Sequence, residues 1–341
     1  MAENSHVDLG FVEKTDPEKL TCQQFPSKVG GKPAWLSLSP LPSPDQLSCP
    51  KCNAVCVFLL QVYAPVDDDD NAFHRTVFVF LCKNPECHQL NSSVPFIVLR
   101  SQLPRVNDFY SPEPPTPATP VPIKGDKLCV VCGSVGPKCC SKCHSRSYCC
   151  KEHQTIDWKG GHKQNCSDTQ EDRCSERSKV LFQEYELLIE EEAFQKEEEK
   201  SEAEKKQELQ SFLKSDKASS LLQECPPEDM EKMSNQSEDK VFLKFRKRVG
   251  HAPDQVLRYD RGGCALLVSE DNKPDNIPDC SCGAKREFEF QVMPQLLCHL
   301  GVDRVGASID WGTLCVYTCS ANCDTGNQYQ QEYLWKQDYS K

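Results

Sequence analysis

Apolar positions in this chain gather in short runs near its two ends, separated by Gly, Pro and Asp breaks. The run VCVFLLQVYAPV (55–66) carries the β-branched and aromatic content of a buried strand. Asp67–Asp70 makes an acidic turn, and HRTVFVFLC (74–82) reads as a second strand. Towards the other end, REFEFQVMPQLL (286–297) and DWGTLCVYTC (310–319) repeat the same texture. The segment KVFLKFRKRVGHAPDQVLR (240–258) begins as an amphipathic helix, because Phe242, Phe245 and Val249 fall on one face at helical spacing. Between the ends the pattern fades. The exception is VLFQEYELLIEEE (180–192), where alternation at Tyr185, Leu187 and Ile189 has a strand-like period, suiting an added edge strand or an interaction segment.

The two ends resemble one another. Gly30–Gly31 stands 18 residues before Cys49, and Gly262–Gly263 stands 17 before Cys280. Cys52 lies nine residues before Gln61-Val62, and Cys282 lies nine before Gln291-Val292. Repetition of one supersecondary unit usually means that the copies complete a shared core. The expected fold is therefore α+β and β-rich, with two related zinc-stabilised half-domains forming one body. The chain divides into an N-terminal half (1–110), a Pro-rich linker (111–128), a Cys/His-rich finger (129–166), an acidic and largely disordered insertion (167–239) and a C-terminal half (240–341). The linker, SPEPPTPATPVP at its centre, reads as a spacer that holds the finger apart from the first half.

Charge changes the picture. The net charge is −11. Residues 171–240 hold 21 Asp and Glu against 11 Lys and Arg, so almost all of the excess is local. Such a chain is a poor nucleic-acid binder and a suitable partner for something basic. The N-terminal residues MAENSHVDLGFVEKTD lack an apolar leader core, and no apolar run reaches a membrane span. A reducing cytoplasmic or nuclear location is expected, and with it thiols in place of disulfides.

That leaves 23 cysteines to explain, and metal binding explains them best. Residues 129–166 supply four pairs: Cys129/Cys132, Cys140/Cys143, Cys149/His153 and His162/Cys166. Two intervening residues make a tight knuckle; three place both side chains on one face of a helical turn. A tetrahedral zinc takes four such donors, so four pairs supply two sites. Cys139 and Cys150 adjoin these donors, and a one-residue slip at either place is open. In the N-terminal half, Cys49, Cys52, Cys82 and Cys87 can close a third site at the ends of two strands. Cys280, Cys282, Cys319 and Cys323 can close a fourth. Metal would then substitute for part of a small core.

The finger resembles the MYND type, down to Tyr148 before Cys149 and Asp157-Trp158 before His162. The resemblance implies interleaved sites, with Cys129, Cys132, Cys149 and His153 on one zinc and Cys140, Cys143, His162 and Cys166 on the other. The whole chain resembles the programmed cell death protein 2 family. The strings that carry this are LGFVE (9–13), FPSKVGGKPAWL (25–36), FLLQVYAP (58–65), LPRVNDFYS (103–111), KEHQTIDW (151–158), CGAKREFEFQVMPQLL (282–297), SIDWG (308–312) and EYLWKQD (332–338). What the resemblance implies is a dedicated chaperone or adaptor for a basic small-subunit ribosomal protein in small ribosomal subunit production. The charge argument agrees, since an acidic holder shields a basic client.

No catalytic set accompanies these motifs: there is no HExxH, Walker loop, dinucleotide glycine signature or nucleophile elbow. Each zinc would have four protein donors and no open position for water. His74, His88, His251 and His299 read as structural or surface residues. An enzyme is not expected. A second reading is an adaptor in transcriptional regulation or cell-death and proliferation signalling. Its finger would dock proline-containing peptides around Tyr148, Gln154 and Trp158.

Overall fold

Runs of β-branched and aromatic residues build most of the body, and its central strands are buried on both faces. In the computed structural model the described residues are 6–116, 125–166, 180–193, 240–302 and 308–339. The remainder of the 167–239 acidic segment, and the centre of the Pro-rich linker, lie outside them. The elements in chain order begin with strands β1 (Asp8–Glu13), β2 (Lys28–Val29), β3 (Val57–Tyr63), β4 (His74–Leu81) and β5 (Phe96–Leu103). The finger carries β6 (Lys138–Cys139), β7 (Ser147–Tyr148) and helix α1 (Lys151–Asp157). Then come β8 (Tyr185–Glu191), α2 (Lys240–Val249), β9 (Leu257–Tyr259), β10 (Arg286–Val292), α3 (Leu296–Leu300), β11 (Thr313–Cys319) and β12 (Gln330–Gln337).

Ten of these strands close a barrel in the order β1-β8-β2-β3-β4-β5-β12-β11-β10-β9. Strands β2–β5 and β9–β12 form two antiparallel runs that meet at the β5–β12 seam, where Arg100 faces Gln330 and Val98 faces Glu332. At the other seam β1 pairs with β9, β8 pairs with β2, and β1 and β8 pair with each other from Asp8↔Glu191 to Glu13↔Glu186. The segment 180–192 is thus no edge strand; it closes the barrel, and closure removes the exposed edges. Gly30 and Gly31 permit its approach. Both have positive φ, and a Cβ on Gly30 would sit 2.0 Å from the Gln183 carbonyl oxygen.

The two runs share details. β3 has its register shift between Phe58 and Leu60, and β10 has one between Phe288 and Phe290. Gln61 accepts from the Ala34 N–H (2.9 Å) and donates to the Ala34 carbonyl (3.2 Å). Gln291 does the same with Leu266, at 2.6 and 3.0 Å. Ala34 and Leu266 each stand three residues after the second glycine of their Gly-Gly pair.

Inside the barrel, Val57, Val77, Val79, Val98, Leu187, Leu257, Phe290, Val292, Val316 and Leu334 pack into one core with Trp311. Each fully buried side chain of this size contributes about 1.5–3 kcal/mol. The outer face of β3–β5 is covered by the 25–56 region through Trp35, Leu36, Leu41 and Leu47. The outer face of β10–β12 is covered by Ala265, Leu267 and Ile277. Helix α2 buries Phe245 and Val249 against Val268 and Met293, the expected face, while Phe242 meets Tyr339 edge-on at 5.8 Å. No helix among the described residues is long and apolar enough to cross a membrane.

The finger is not held apart. Trp35 Nε1 donates to the Gly133 carbonyl at 2.7 Å. Asp126, at the end of the linker, accepts from the Leu41 N–H (2.8 Å) and from Ser39 Oγ (3.2 Å). Proline content argues for a spacer, but these bonds fix both sides of the first knuckle to the N-terminal half.

Candidate metal centres and family

Four turns of one design present the first cysteine pair of each group. At Cys49, Cys129 and Cys140 the cysteine carbonyl accepts from the N–H four residues on, at 2.8, 2.9 and 3.0 Å from Asn53, Gly133 and His144. At Cys280 the turn is one residue shorter, and Gly283 N–H donates at 2.8 Å. The residue after each second cysteine is left-handed: Asn53 (φ 58°), Gly133 (φ 77°), His144 (φ 56°) and Gly283 (φ 89°). Asn and Gly tolerate that conformation, so Asn or Gly directly after the second cysteine is a readable signal at Asn53, Gly133 and Gly283, and His144 hides it.

The structure brings the sixteen candidate donors together as four groups of four. They are Cys49, Cys52, Cys82 and Cys87; Cys129, Cys132, Cys149 and His153; Cys140, Cys143, His162 and Cys166; and Cys280, Cys282, Cys319 and Cys323. Within each group the donor atoms lie within 4.8 Å of one another. The spacings suit a tetrahedral ion. Zn–S bonds of about 2.3 Å give a sulfur–sulfur edge of about 3.8 Å, and a sulfur–nitrogen edge slightly shorter. The observed sulfur pairs are Cys52–Cys82 at 3.5 Å, Cys132–Cys149 at 3.6 Å, Cys140–Cys166 at 3.7 Å, and Cys280–Cys323 and Cys282–Cys319 at 3.6 Å. Cys143 Sγ lies 3.5 Å from His162 Nε2, and Cys129 Sγ lies 3.7 Å from His153 Nδ1. All are far too long for disulfides.

Local chemistry holds the finger's donors in place. Cys150 is the N-cap of α1, its sulfur accepting from the His153 N–H at 3.4 Å, while Cys139 is exposed. Neither belongs to a group; Cys149 and Cys140 are the residues that join the other candidate donors. After α1 the chain widens into a turn at Trp158–His162, with Gly161 at φ 135°. Asp157 anchors it, accepting from Tyr148 Oη at 2.7 Å and from Arg146 at 2.9 and 3.1 Å. Burial and the Asp157 carboxylate both push the Tyr148 phenol up. Gly133→Val is expected to strain this assembly and lower its melting temperature by several degrees. The position needs φ 77°, and an added Cβ would lie 2.8 Å from Lys32 Cβ. Thermal denaturation with the indole environment of Trp35 as the probe checks this.

The remaining groups differ in what surrounds them. Among the described residues, Cys82 Sγ accepts only a backbone contact outside its group, from Asn84 N–H at 3.4 Å. Cys323 instead meets a cation from the other run: Arg100 Nη2 donates to its sulfur at 3.3 Å and to its carbonyl at 3.2 Å. Gln102 Nε2 donates to the Asn322 carbonyl at 3.0 Å. Arg100 also pairs with Glu332, which pairs with Arg286. Of the histidines outside the groups, His74 is buried among Phe25, Tyr63 and Tyr110, and burial lowers its pKa to about 4.

Three family descriptions match the chain. Residues 6–117 match the programmed cell death protein 2 N-terminal domain, 129–166 the MYND finger, and 239–338 the programmed cell death protein 2 C-terminal putative domain. Programmed cell death protein 2 from Bos taurus is 44% identical over 97% of this chain and 96% of its own. This chain belongs to the programmed cell death protein 2 family. The family's Rattus norvegicus protein is also 44% identical, over 98% of this chain and 97% of its own. A more distant relative from Schizosaccharomyces pombe, named probable 20S rRNA accumulation protein 4, is 25% identical over 93% of this chain and 92% of its own. No solved structure matches. None of the matched descriptions names a catalytic domain. Strand β8 falls outside all three matched ranges, although the barrel of this family member closes through it.

Proposed function

We propose that this protein is a non-enzymatic, zinc-bearing chaperone and adaptor for a basic small-subunit ribosomal protein in small ribosomal subunit production, working in the cytoplasm and nucleus. One observation carries the reading above the others. The fission yeast relative, aligned over nearly the whole of both chains, has a name that points to ribosome production. Charge supports it, since a chain of net −11 attracts a strongly basic client and can yield it to RNA. The metal groups support a structural role. Each offers four protein donors, which leaves no open position on a tetrahedral zinc. In this reading there are two zincs in the finger and one in each of two related halves, and the finger is a secondary contact for proline-containing peptides.

The test uses purified full-length chain and the proteins salt-stripped from small ribosomal subunits. One basic protein should be retained at low salt and identified by mass spectrometry. Retention is expected to fall as ionic strength rises from about 0.1 to 0.5 M, where the screening length shrinks below about 5 Å. A complex indifferent to salt would place the grip on apolar contacts alone. Retention of no basic small-subunit protein overturns the reading. Loss of retention on Trp158→Ala would move the contact to the finger.

A further inference from the structure

Large exposed apolar side chains are few among the described residues, and most stand alone. Leu90 and Val94 lie near the first metal group, among residues of mixed charge. Phe73 and Val106 differ, being 40% and 77% exposed. His74 pairs with Leu103, so Phe73 and the Pro104–Val106 loop leave the barrel side by side. The loops 64–73 and 104–116 carry six carboxylates against one arginine. Asp67, Asp68 and Asp70 are exposed, and no ion pair with a described residue neutralises them. Consecutive uncompensated carboxylates repel one another, and a cationic partner would relieve that cost.

The patch rests on packed rings and already shows what it accepts. Beneath it, Phe25 stacks on His74 at 4.1 Å and meets Tyr110 at 4.8 Å, and Phe73 meets His74 edge-on at 4.9 Å. The only cation of the two loops, Arg105, lies with its guanidinium 5.5 Å from the centre of the Phe73 ring. A ring face that takes the protein's own guanidinium will take another's.

We propose that this end of the barrel is the docking surface for a basic segment of the client, with an arginine of the client on Phe73 and neighbouring cations on the Asp67–Asp70 turn. The proposal rests on the chaperone reading above and names the surface that reading lacks. It commits to a basic peptide segment because aromatic face and unpaired carboxylates occur together here. The client arginine displaces Arg105, which holds the ring face in the free protein.

The experiment compares full-length variants for retention of the proteins salt-stripped from small ribosomal subunits. Asp67→Asn, Asp68→Asn and Asp70→Asn are combined. Asp69 is left intact because its side chain caps the Asn71 N–H at 3.0 Å. The triple variant should retain about tenfold less basic client, as three exposed charge contacts of ordinary strength would give. A control with Glu13→Gln, Glu18→Gln and Glu86→Gln, exposed acids elsewhere, should retain as much as the native chain. Arg105→Gln should retain more, because the ring face is then free. If Arg105 only props its loop, that variant retains less, and the proposal fails. Equal retention by the native and triple-Asn chains also overturns it while leaving the chaperone reading intact. If the native chain retains no basic protein, both fall together.

Discussion

Replacing Cys319 with serine is expected to unfold the barrel, and replacing Cys49 is expected to do the same. Both sulfurs are fully buried, and each belongs to a group of four donors. Serine is a poor ligand for a thiophilic ion, so the substitution is expected to cost the group its metal and not merely a contact. A structural zinc contributes on the order of 10 kcal/mol of apparent folding free energy. Domains of this size are stable by only about 5–15 kcal/mol in total. Cys319 also ends β11, and its group includes Cys323, on which Arg100 of β5 closes. Losing that metal therefore loosens the β5–β12 seam as well as the turn. The measurements are thermal denaturation by circular dichroism and metal content of the same sample. The expected result is one metal fewer per chain and no cooperative transition. Cys264→Ser and Cys298→Ser, exposed and outside every group, should change stability by less than about 0.5 kcal/mol. A native melting curve for Cys319→Ser would end the argument that metal substitutes for core.

Different physical signals explain why some of this could be read from sequence and some could not. Donor pairs are local, so the spacing of Cys129/Cys132 or Cys149/His153 shows in the chain what the structure brings together in space. The strands β3 and β4 show themselves through unbroken apolar runs, because both of their faces are covered. Strand β8 does not. Glu186, Glu190 and Glu191 give it the composition of the acidic segment around it, and its alternation alone cannot say which strands it joins. The docking of the finger was hidden for a similar reason. Prolines advertise extension, whereas the contacts that decide the matter are single atoms of Asp126 and Gly133. The charges inside the barrel were least legible of all, since Arg75 and Glu289 are 214 residues apart and nothing local pairs them.

Glu289→Gln is expected to cost about 3–5 kcal/mol, the usual penalty for stripping a buried ion of its partner. Glu289 and Arg75 are fully buried. Arg75 reaches Glu289 with both terminal nitrogens, one at 2.7 Å, and Nη2 also meets Thr318 Oγ1 at 3.1 Å. Thr318 donates to the same carboxylate, and Tyr259 Oη lies 3.3 Å from it. Burial alone would raise the carboxyl pKa, but the charge and hydrogen bonds of Arg75, with help from Thr318, outweigh it and hold the value below the ordinary one. A depressed folded-state pKa stabilises the fold above the unfolded value, about 4.3, and that contribution is lost as pH falls through the folded value. The native protein should therefore lose stability on acidification below about pH 4 more steeply than the Gln variant. The register shift of β3 holds Leu59 where that of β10 holds Glu289, and Leu59 is equally buried. That suggests the compensating experiment. Arg75→Met combined with Glu289→Leu removes both charges at once, and the double variant should recover most of the stability lost by either single change. Urea denaturation of the native chain, Arg75→Met, Glu289→Leu and the double variant closes the cycle. If Glu289→Gln melts like the native chain, the pair does not hold the two runs together, and the apolar core alone sets the register.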